Sequence, residues 1–399
     1  MDFKKNRLLK MQLFVFFVYF ILTTIAYIVA IKSGNGVSWK IFGGGDDGFF
    51  YWMQAQNVAA GKAWKMTSIY PLIIGNLIKF TGINNVYLVR LFNYFGFILL
   101  ALFSMRLIQI QFLYEKEEIG SQGICNAKTL LLIAFLFYPD LLSINLSIYR
   151  DVWIYMLYVL CTYLSIEIIF LNRKKVIDIA LLVFFLTLLG LFRGYALFSF
   201  ILAMGIYFFY KKVESFVNIK RFTLLALMLF GIYYTFLMDF TFFNISLERA
   251  LNYRAKFIEI HPGSSQMWIS LGKSNFILFL LNYIHSFIGN LMGPLPWHIS
   301  GMPTLFVFFT ETIPMCFILI FLWKEKNQLS KIQNYILLQG FVWIGLIGVT
   351  NDNLGAATRL RAIAWILILI VFVVVYSKKS LKRICANRNN KNFIRFGVD

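Results

Sequence analysis

Charge is scarce in this sequence. Only 14% of its 399 residues are Asp, Glu, Lys or Arg, against 60% that are hydrophobic, and the mean hydropathy is +0.72. A soluble domain cannot hide that much apolar surface in a core, so the solvent for most of the chain is lipid. Cysteine is sparse as well. Cys125, Cys161, Cys316 and Cys385 are scattered, two of them inside apolar runs, which leaves no disulfide or metal framework. No internal repeat, low-complexity tract or heptad pattern is present, and this argues for one transmembrane domain over residues 1–377. Acids are the rarer charge, 18 against 38 Lys and Arg, for a net charge of +20. In a soluble protein such an excess points to nucleic acid. Here the cations sit in short segments between apolar runs and in a basic tail, 378–399, which is the signature of membrane topology and not of a nucleic-acid partner.

What fills the sequence is apolar runs of roughly 17 to 25 residues, each long enough to cross a ~30 Å hydrocarbon layer as a helix. They predict an all-α, polytopic transmembrane bundle of about ten spans, near 8–31, 86–113, 129–148, 152–171, 176–192, 194–210, 222–243, 303–323, 332–350 and 362–377. The first run follows Lys4, Lys5, Arg7 and Lys10, is too long for a signal-peptide core and has no small-residue cleavage site, so it reads as a span. Arg173-Lys174-Lys175, Lys211-Lys212 with Lys220-Arg221, the Lys324-Lys326-Lys331 group and the tail fall at alternate helix ends. The positive-inside rule then places both termini in the cytoplasm of a multi-pass plasma-membrane protein. Two apolar stretches do not fit as spans. Residues 274–293, ending at Gly293-Pro294-Leu295-Pro296 within a segment 274–302, read as a re-entrant or interfacial helix, and Ile69 to Phe80, too short to span, reads the same way. Two polar insertions remain, 33–85 and 244–273.

This topology gathers a mixed set of ionisable residues at the outer face: Asp46, Asp47, Arg150, Asp151, Arg193, Glu248, Arg249, Arg254, His261, His298, Asp352, Arg359 and Arg361. Runs of inner Lys and Arg follow from topology alone. Single arginines, acids and His at helix ends do not, and charges near membrane depth usually face a cavity or a partner. A polar chamber opening outward is the reading these residues support.

The most distinctive segment is Gly43-Gly44-Gly45-Asp46-Asp47-Gly48-Phe49-Phe50-Tyr51. Glycines before a carboxylate pair let the backbone turn sharply and approach a ligand. Adjacent carboxylates at such a turn can bind a divalent metal, or one can act as a base while the other orients it. A plain alternative is an N-cap for a helix from about Phe49 to Ala60. Arginine is the side chain best suited to hold a phosphate. The candidates are Arg150, Arg193 between two short apolar runs, and Arg359 with Arg361, which enter a span on its outer side against the usual charge bias. Each has a bland counterpart: a cap with a local ion pair for Arg150-Asp151, and a snorkelling anchor for Arg193. His261 and the pair Trp297-His298 could stack on a sugar or hydrogen-bond a hydroxyl, or serve only as interfacial anchors.

In order along the chain, Asp46-Asp47, Tyr51, Ala55, Gly61 and Tyr70-Pro71 are joined by Arg90, Tyr138-Pro139, Arg150-Asp151 and Phe192-Arg193. Over roughly its first 210 residues the sequence therefore resembles the GT-C class of membrane glycosyltransferases, in particular the bacterial group akin to protein O-mannosyltransferases and lipid A aminoarabinose transferases. In that group the second acid is more often Glu, and no signature of it is recognised after about residue 210. The resemblance implies inverting transfer of a sugar from a polyprenyl-phosphate-linked donor to a glycan, lipid or protein acceptor at the outer face. Asp46 would then be the general base, Asp47 its assistant, and Tyr51, Tyr70, His261, Trp297 and His298 substrate contacts. Arg150, Arg193, Arg359 and Arg361 would meet the donor phosphate, with no cofactor required and a divalent metal at Asp46/Asp47 as the variant. A polysaccharide repeat-unit polymerase and a lipid-linked glycan flippase are the rival readings. The flippase lacks support from paired, interrupted helices in two related halves.

Overall fold

A computed structural model describes residues 2–32, 34, 36–37, 47–114, 120–173, 175–214, 218–241, 246–260, 265–272 and 275–395. Asp46, its three preceding glycines and His261 lie outside the described residues. Among the described residues the chain is helical, with no strand beyond one isolated antiparallel bridge between Gln266 and Asn353. They divide between two compact units. Unit 1 takes 1–194, 317–337 and 366–399, and unit 2 takes 195–316 and 338–365.

The helices, in order, are α1 (Asp2–Lys32), α2 (Asp47–Ala59), α3 (Tyr70–Thr81), α4 (Val86–Tyr114), α5 (Gly120–Leu136), α6 (Pro139–Leu146), α7 (Asp151–Ile169), α8 (Val176–Phe192), α9 (Gly194–Val213), α10 (Ile219–Phe236), α11 (Leu247–Ile260), α12 (Phe276–Met292), α13 (Met302–Val307), α14 (Ile313–Lys324), α15 (Lys331–Thr350) and α16 (Leu354–Arg395). A π-helical turn, Phe308–Thr312, joins α13 to α14. Among the described residues, seven stretches are long and apolar enough to cross a membrane: Asn6–Lys32, Val86–Tyr114, Asp151–Ile169, Gly194–Val213, Met302–Lys324, Lys331–Thr350 and Leu354–Arg383.

Three of the ten expected spans take another form. The stretch expected at 129–148 is broken into α5 and α6, which meet at 67°. Pro139 removes a backbone donor and pushes Tyr138 into an extended conformation, φ −96° and ψ 99°. If that bent pair is one span, the total is eight. The stretch expected at 176–192 is α8, whose 17 residues rise only ~25 Å at 1.5 Å each. The stretch expected at 222–243 is α10, which opens on the charged Lys220 and Arg221 and stops at Phe236. The segment predicted to be re-entrant or interfacial contains α12, again 17 residues, ending at Gly293. The short apolar piece after Ile69 is α3, with Pro71 in its first turn. The tail expected from residue 378 continues α16 without a break to Arg395.

In unit 1, α4 packs on α1, α5, α6 and α7, and α7 also packs on α8. Tyr19 of α1 stacks on Phe97 of α4 with ring centroids 3.8 Å apart and donates its hydroxyl to the Phe135 carbonyl at 2.7 Å. That hydrogen bond explains how a tyrosine can be wholly buried in an apolar interface, because its one polar side-chain atom is satisfied. α2 and α3 form a tight hairpin, turned at Gly61 with φ 68°. Small residues set their distance of approach: a Cβ added to Gly75 would lie 2.5 Å from the Val58 side chain and 2.7 Å from the Ala55 carbonyl. Gly75→Ala should force the hairpin apart and lower stability by about 1 to 3 kcal/mol, read as a drop in the thermal unfolding midpoint of the purified protein. An unchanged midpoint would show that α2 and α3 do not pack this closely.

Candidate functional site

Unit 1 brings together five of the described residues predicted from sequence to serve the donor, the acceptor or the base. Asp47 opens α2 and is exposed, where a helix N-terminus favours an anion. Tyr51 lies one turn further along α2 and is buried. Its ring meets Tyr70 edge to face at 5.5 Å, and the Arg150 guanidinium sits 5.6 Å from the ring centroid. Arg150 also donates to the Thr67 carbonyl at 3.2 Å. Arg193, extended between α8 and α9, pairs with Asp151 at the N-terminus of α7 at 3.2 Å, with side chains 9% and 1% exposed. Burial pushes the Tyr51 phenol above its ordinary value. Arg150 and Arg193 oppose that shift, while Asp151 and Asp47 add to it. Two carboxylates and two guanidinium groups, from α2, the start of α7 and the turn after α8, therefore act on the Tyr51 phenol.

Asn93 of α4 fastens this cluster from beneath. Its Oδ1 accepts from the Tyr70 hydroxyl at 3.0 Å and from the Trp153 indole at 3.2 Å, and its Nδ2 donates to the carbonyls of Ser147 and Tyr149. Arg90, one turn earlier and fully buried, donates to the Leu146 carbonyl and, at 3.0 Å each, to those of Gly36 and Val37. Ile69 N–H donates to the Leu191 carbonyl at 3.1 Å, tying the start of α3 to the end of α8 next to Arg193. Asn93 and Trp153 escaped the sequence reading. The available signal was Arg90 and Asn93 three residues apart in an apolar run, two polar groups on one face of a span.

Several motif residues have structural duties here. Ala55 and Gly61 serve the α2–α3 hairpin, Pro71 starts α3, and Arg90 ties the turn before α7 to the segment after α1.

The remaining described site residues belong to unit 2. Arg361 is fully buried, where the sequence reading placed it at a donor phosphate. It pairs with Glu311 in the π-helical turn at 2.5 Å, donates to the Gly293 carbonyl, and lies 4.4 Å from the Trp365 ring centroid. An arginine neutralised inside the chain and shut off from solvent is accounted for by packing. Arg359 is half-buried on the same helix. The Trp297 indole donates to His285 at 3.2 Å, and the His285 and His298 rings stack at 5.8 Å. His298 accepts from the Leu295 N–H at 3.3 Å, and burial, helped by His285, lowers its pKa below the ordinary value.

Unit 2 also holds an ion pair that fixes its long polar insertion. Arg254 of α11 pairs with Asp352 and donates to Ser286 Oγ and to the carbonyls of Ile269, Gly348 and Asn351 at 2.7 to 3.0 Å. Asp352 in turn accepts from the N–H groups of Trp268 and Ile269. Among the described residues no three His, Cys, Asp or Glu side chains gather as a metal set would require. Compared with protein-family models, with curated proteins and with solved structures, the chain finds no match.

The pairing of Arg361 has a measurable consequence. Glu311→Gln strands a buried cation and should cost about 3 to 5 kcal/mol, whereas Glu311→Leu combined with Arg361→Met should recover most of that loss. Thermal unfolding of the three proteins decides. Equal midpoints for Glu311→Gln and the unmutated protein would return Arg361 to the list of ligand-binding cations.

Proposed function

We propose that this chain is an integral membrane glycosyltransferase of the GT-C type, moving a sugar or glycan from a polyprenyl-phosphate-linked donor to an acceptor in surface polysaccharide or glycoconjugate assembly. The observation that carries this reading is the cluster in which Asp47, Tyr51, Arg150, Asp151 and Arg193 come together from α2, α7 and the turn after α8. A carboxylate that can take a proton and two cations that can hold a phosphate are what such a transfer needs in one place. The resemblance in the first 210 residues points to the same chemistry. The distribution of Lys and Arg supports cytoplasmic termini and, with them, a site at the outer face of the plasma membrane.

In this reading the acceptor hydroxyl gives its proton to the Asp46–Asp47 pair as its oxygen attacks the anomeric carbon from the face opposite the phosphate. The bond from that carbon to the phosphate oxygen breaks, the bonding pair leaves with the polyprenyl phosphate, and the anomeric configuration inverts. Arg150 and Arg193 hold the oxygens on which negative charge grows, and Asp151 orients Arg193. Tyr51 and Tyr70 wall the site and offer a hydroxyl and ring faces to the sugar. Arg361, already neutralised by Glu311, has no part in it.

Release of undecaprenyl phosphate from an undecaprenyl-phosphate hexose, in membrane vesicles that contain the protein, tests this. Asp47→Asn should slow release by roughly 10² to 10⁴. Arg193→Lys, which keeps the charge opposite Asp151 but loses the planar fork, should slow it by roughly 10². Release that both variants leave unchanged would remove the enzymatic reading while leaving the membrane fold intact.

A further inference from the structure

Unit 2 contains a cavity of about 320 Å³, between one face of α11 and the segment Trp268–Gly272. That is the lower end of the ~300–1,000 Å³ range of small-molecule sites. Three features of its wall point to one kind of ligand.

The first is Trp268. Its backbone has φ 57°, in the left-handed region that a bulky residue rarely adopts, and the residue is 66% exposed although its neighbours Met267 and Ile269 are buried. Strain of this kind, on the order of 1 to 3 kcal/mol, persists only where surrounding bonds impose it. They do so here. The N–H groups of Trp268 and Ile269 donate to the two carboxylate oxygens of Asp352 at 3.0 and 3.1 Å, the Met267 N–H donates to the Asp352 carbonyl at 2.8 Å, and Arg254 locks Asp352 in place. The buried ion pair thus holds an indole at the cavity wall that could otherwise have packed inward.

The second is the α11 face. Glu248, Asn252 and Glu259 all line the cavity. At 100° per residue, positions 248 and 259 fall ~20° apart around α11 and ~16 Å apart along it. Acceptor oxygens and an amide are therefore spaced along one face of the helix, in the same cavity that Trp268 lines. The third is sign. Among the described residues that line it, Glu248 and Glu259 are the acids and Arg254, engaged by Asp352, is the cation, so this part of the wall disfavours an anion.

We infer that this cavity is a saccharide-binding subsite for a short neutral or amino-sugar oligosaccharide, with Trp268 as the stacking platform for a pyranose face and Glu248, Asn252 and Glu259 as hydrogen-bond partners of its hydroxyl or amino groups. The inference deepens the transferase reading and rests on it only for the role of the subsite, which would be to hold the acceptor glycan. Binding itself stands or falls separately.

The test uses the full-length protein in nanodiscs of sugar-free phospholipid, with maltotriose, chitosan trimer, trigalacturonate and dodecanol as probes in saturation-transfer NMR. Maltotriose or the chitosan trimer should bind, and trigalacturonate should not. Trp268→Ala should weaken binding roughly tenfold or more, the scale of losing one aromatic stacking contact. Trp268→Phe should retain most of the affinity, and Glu259→Gln, at an exposed position, should weaken the amino sugar more than maltotriose. These two variants keep the test decisive if Trp268→Ala does not fold. The inference is overturned if no saccharide binds in a Trp268-dependent way, if trigalacturonate binds as well as the neutral probe, or if dodecanol alone occupies the cavity. Asp47→Asn should still bind saccharide. Saccharide binding with no transferase activity in the unmutated protein would indict the unit 1 site alone, whereas transfer without Trp268-dependent binding would indict the subsite alone.

Discussion

A charge withdrawn from water must be met by another charge or by polar backbone, and a chain with this little charge spends what it has on such meetings. Arg193 with Asp151, Arg254 with Asp352 and Arg361 with Glu311 are three buried pairs, each joining segments far apart in sequence. Each decides where an otherwise free segment lies. The first brings the turn after α8 to the start of α7, the second fixes the 265–272 segment against the 351–354 turn, and the third seats α16 on the π-helical turn between α13 and α14. Apolar packing alone would leave these polar segments without a defined position, since lipid solvates an apolar helix as well as another helix does.

The same economy makes charge ambiguous as a sign of function. Arg361 and Arg193 look alike in the sequence, each an arginine bordering an apolar run on the side expected to face outward. Arg361 is enclosed with Glu311 at zero exposure, whereas Arg193 keeps part of its side chain accessible beside Arg150, Tyr51 and Asp47. The difference is geometric. It depends on whether the partner acid closes the site or leaves one side open, and that in turn is set by which helices happen to pass.

The membrane character and seven of the expected spans were legible because hydrophobic run length is a local property and the bilayer sets a fixed length for it. The start of α3 at Tyr70-Pro71 was legible for a similar reason, since proline acts on its own neighbours. Where the reading missed, the cause was either a marginal length, as in α8 and α10, or a long-range partner. Tyr138-Pro139 stands inside an apolar run long enough to span, and only the 67° bend between α5 and α6 reveals that the proline breaks it. Glu311 gave no sign of being the partner of a residue 50 positions away, and Asn93 looked like one polar residue in a span until Tyr70, Trp153 and two carbonyls converged on it. Motif order carries Asp47, Tyr51, Tyr70, Arg90, Arg150 and Arg193 along the chain, whereas the bonds that Arg90 and Asn93 make beneath the cluster depend on partners far away in sequence. Ala55 and Gly61 show the limit of motif reasoning, because the hairpin alone explains both.

The account turns on a division of labour in unit 1: arginines for phosphate, acid for the proton. Calorimetric titration of the full-length protein with a short-chain polyprenyl phosphate measures that division without any turnover. The account predicts saturable binding that the double change Arg150→Ala with Arg193→Ala abolishes and that Asp47→Asn leaves intact. Binding indifferent to both arginines, or lost only when Asp47 is changed, would contradict it.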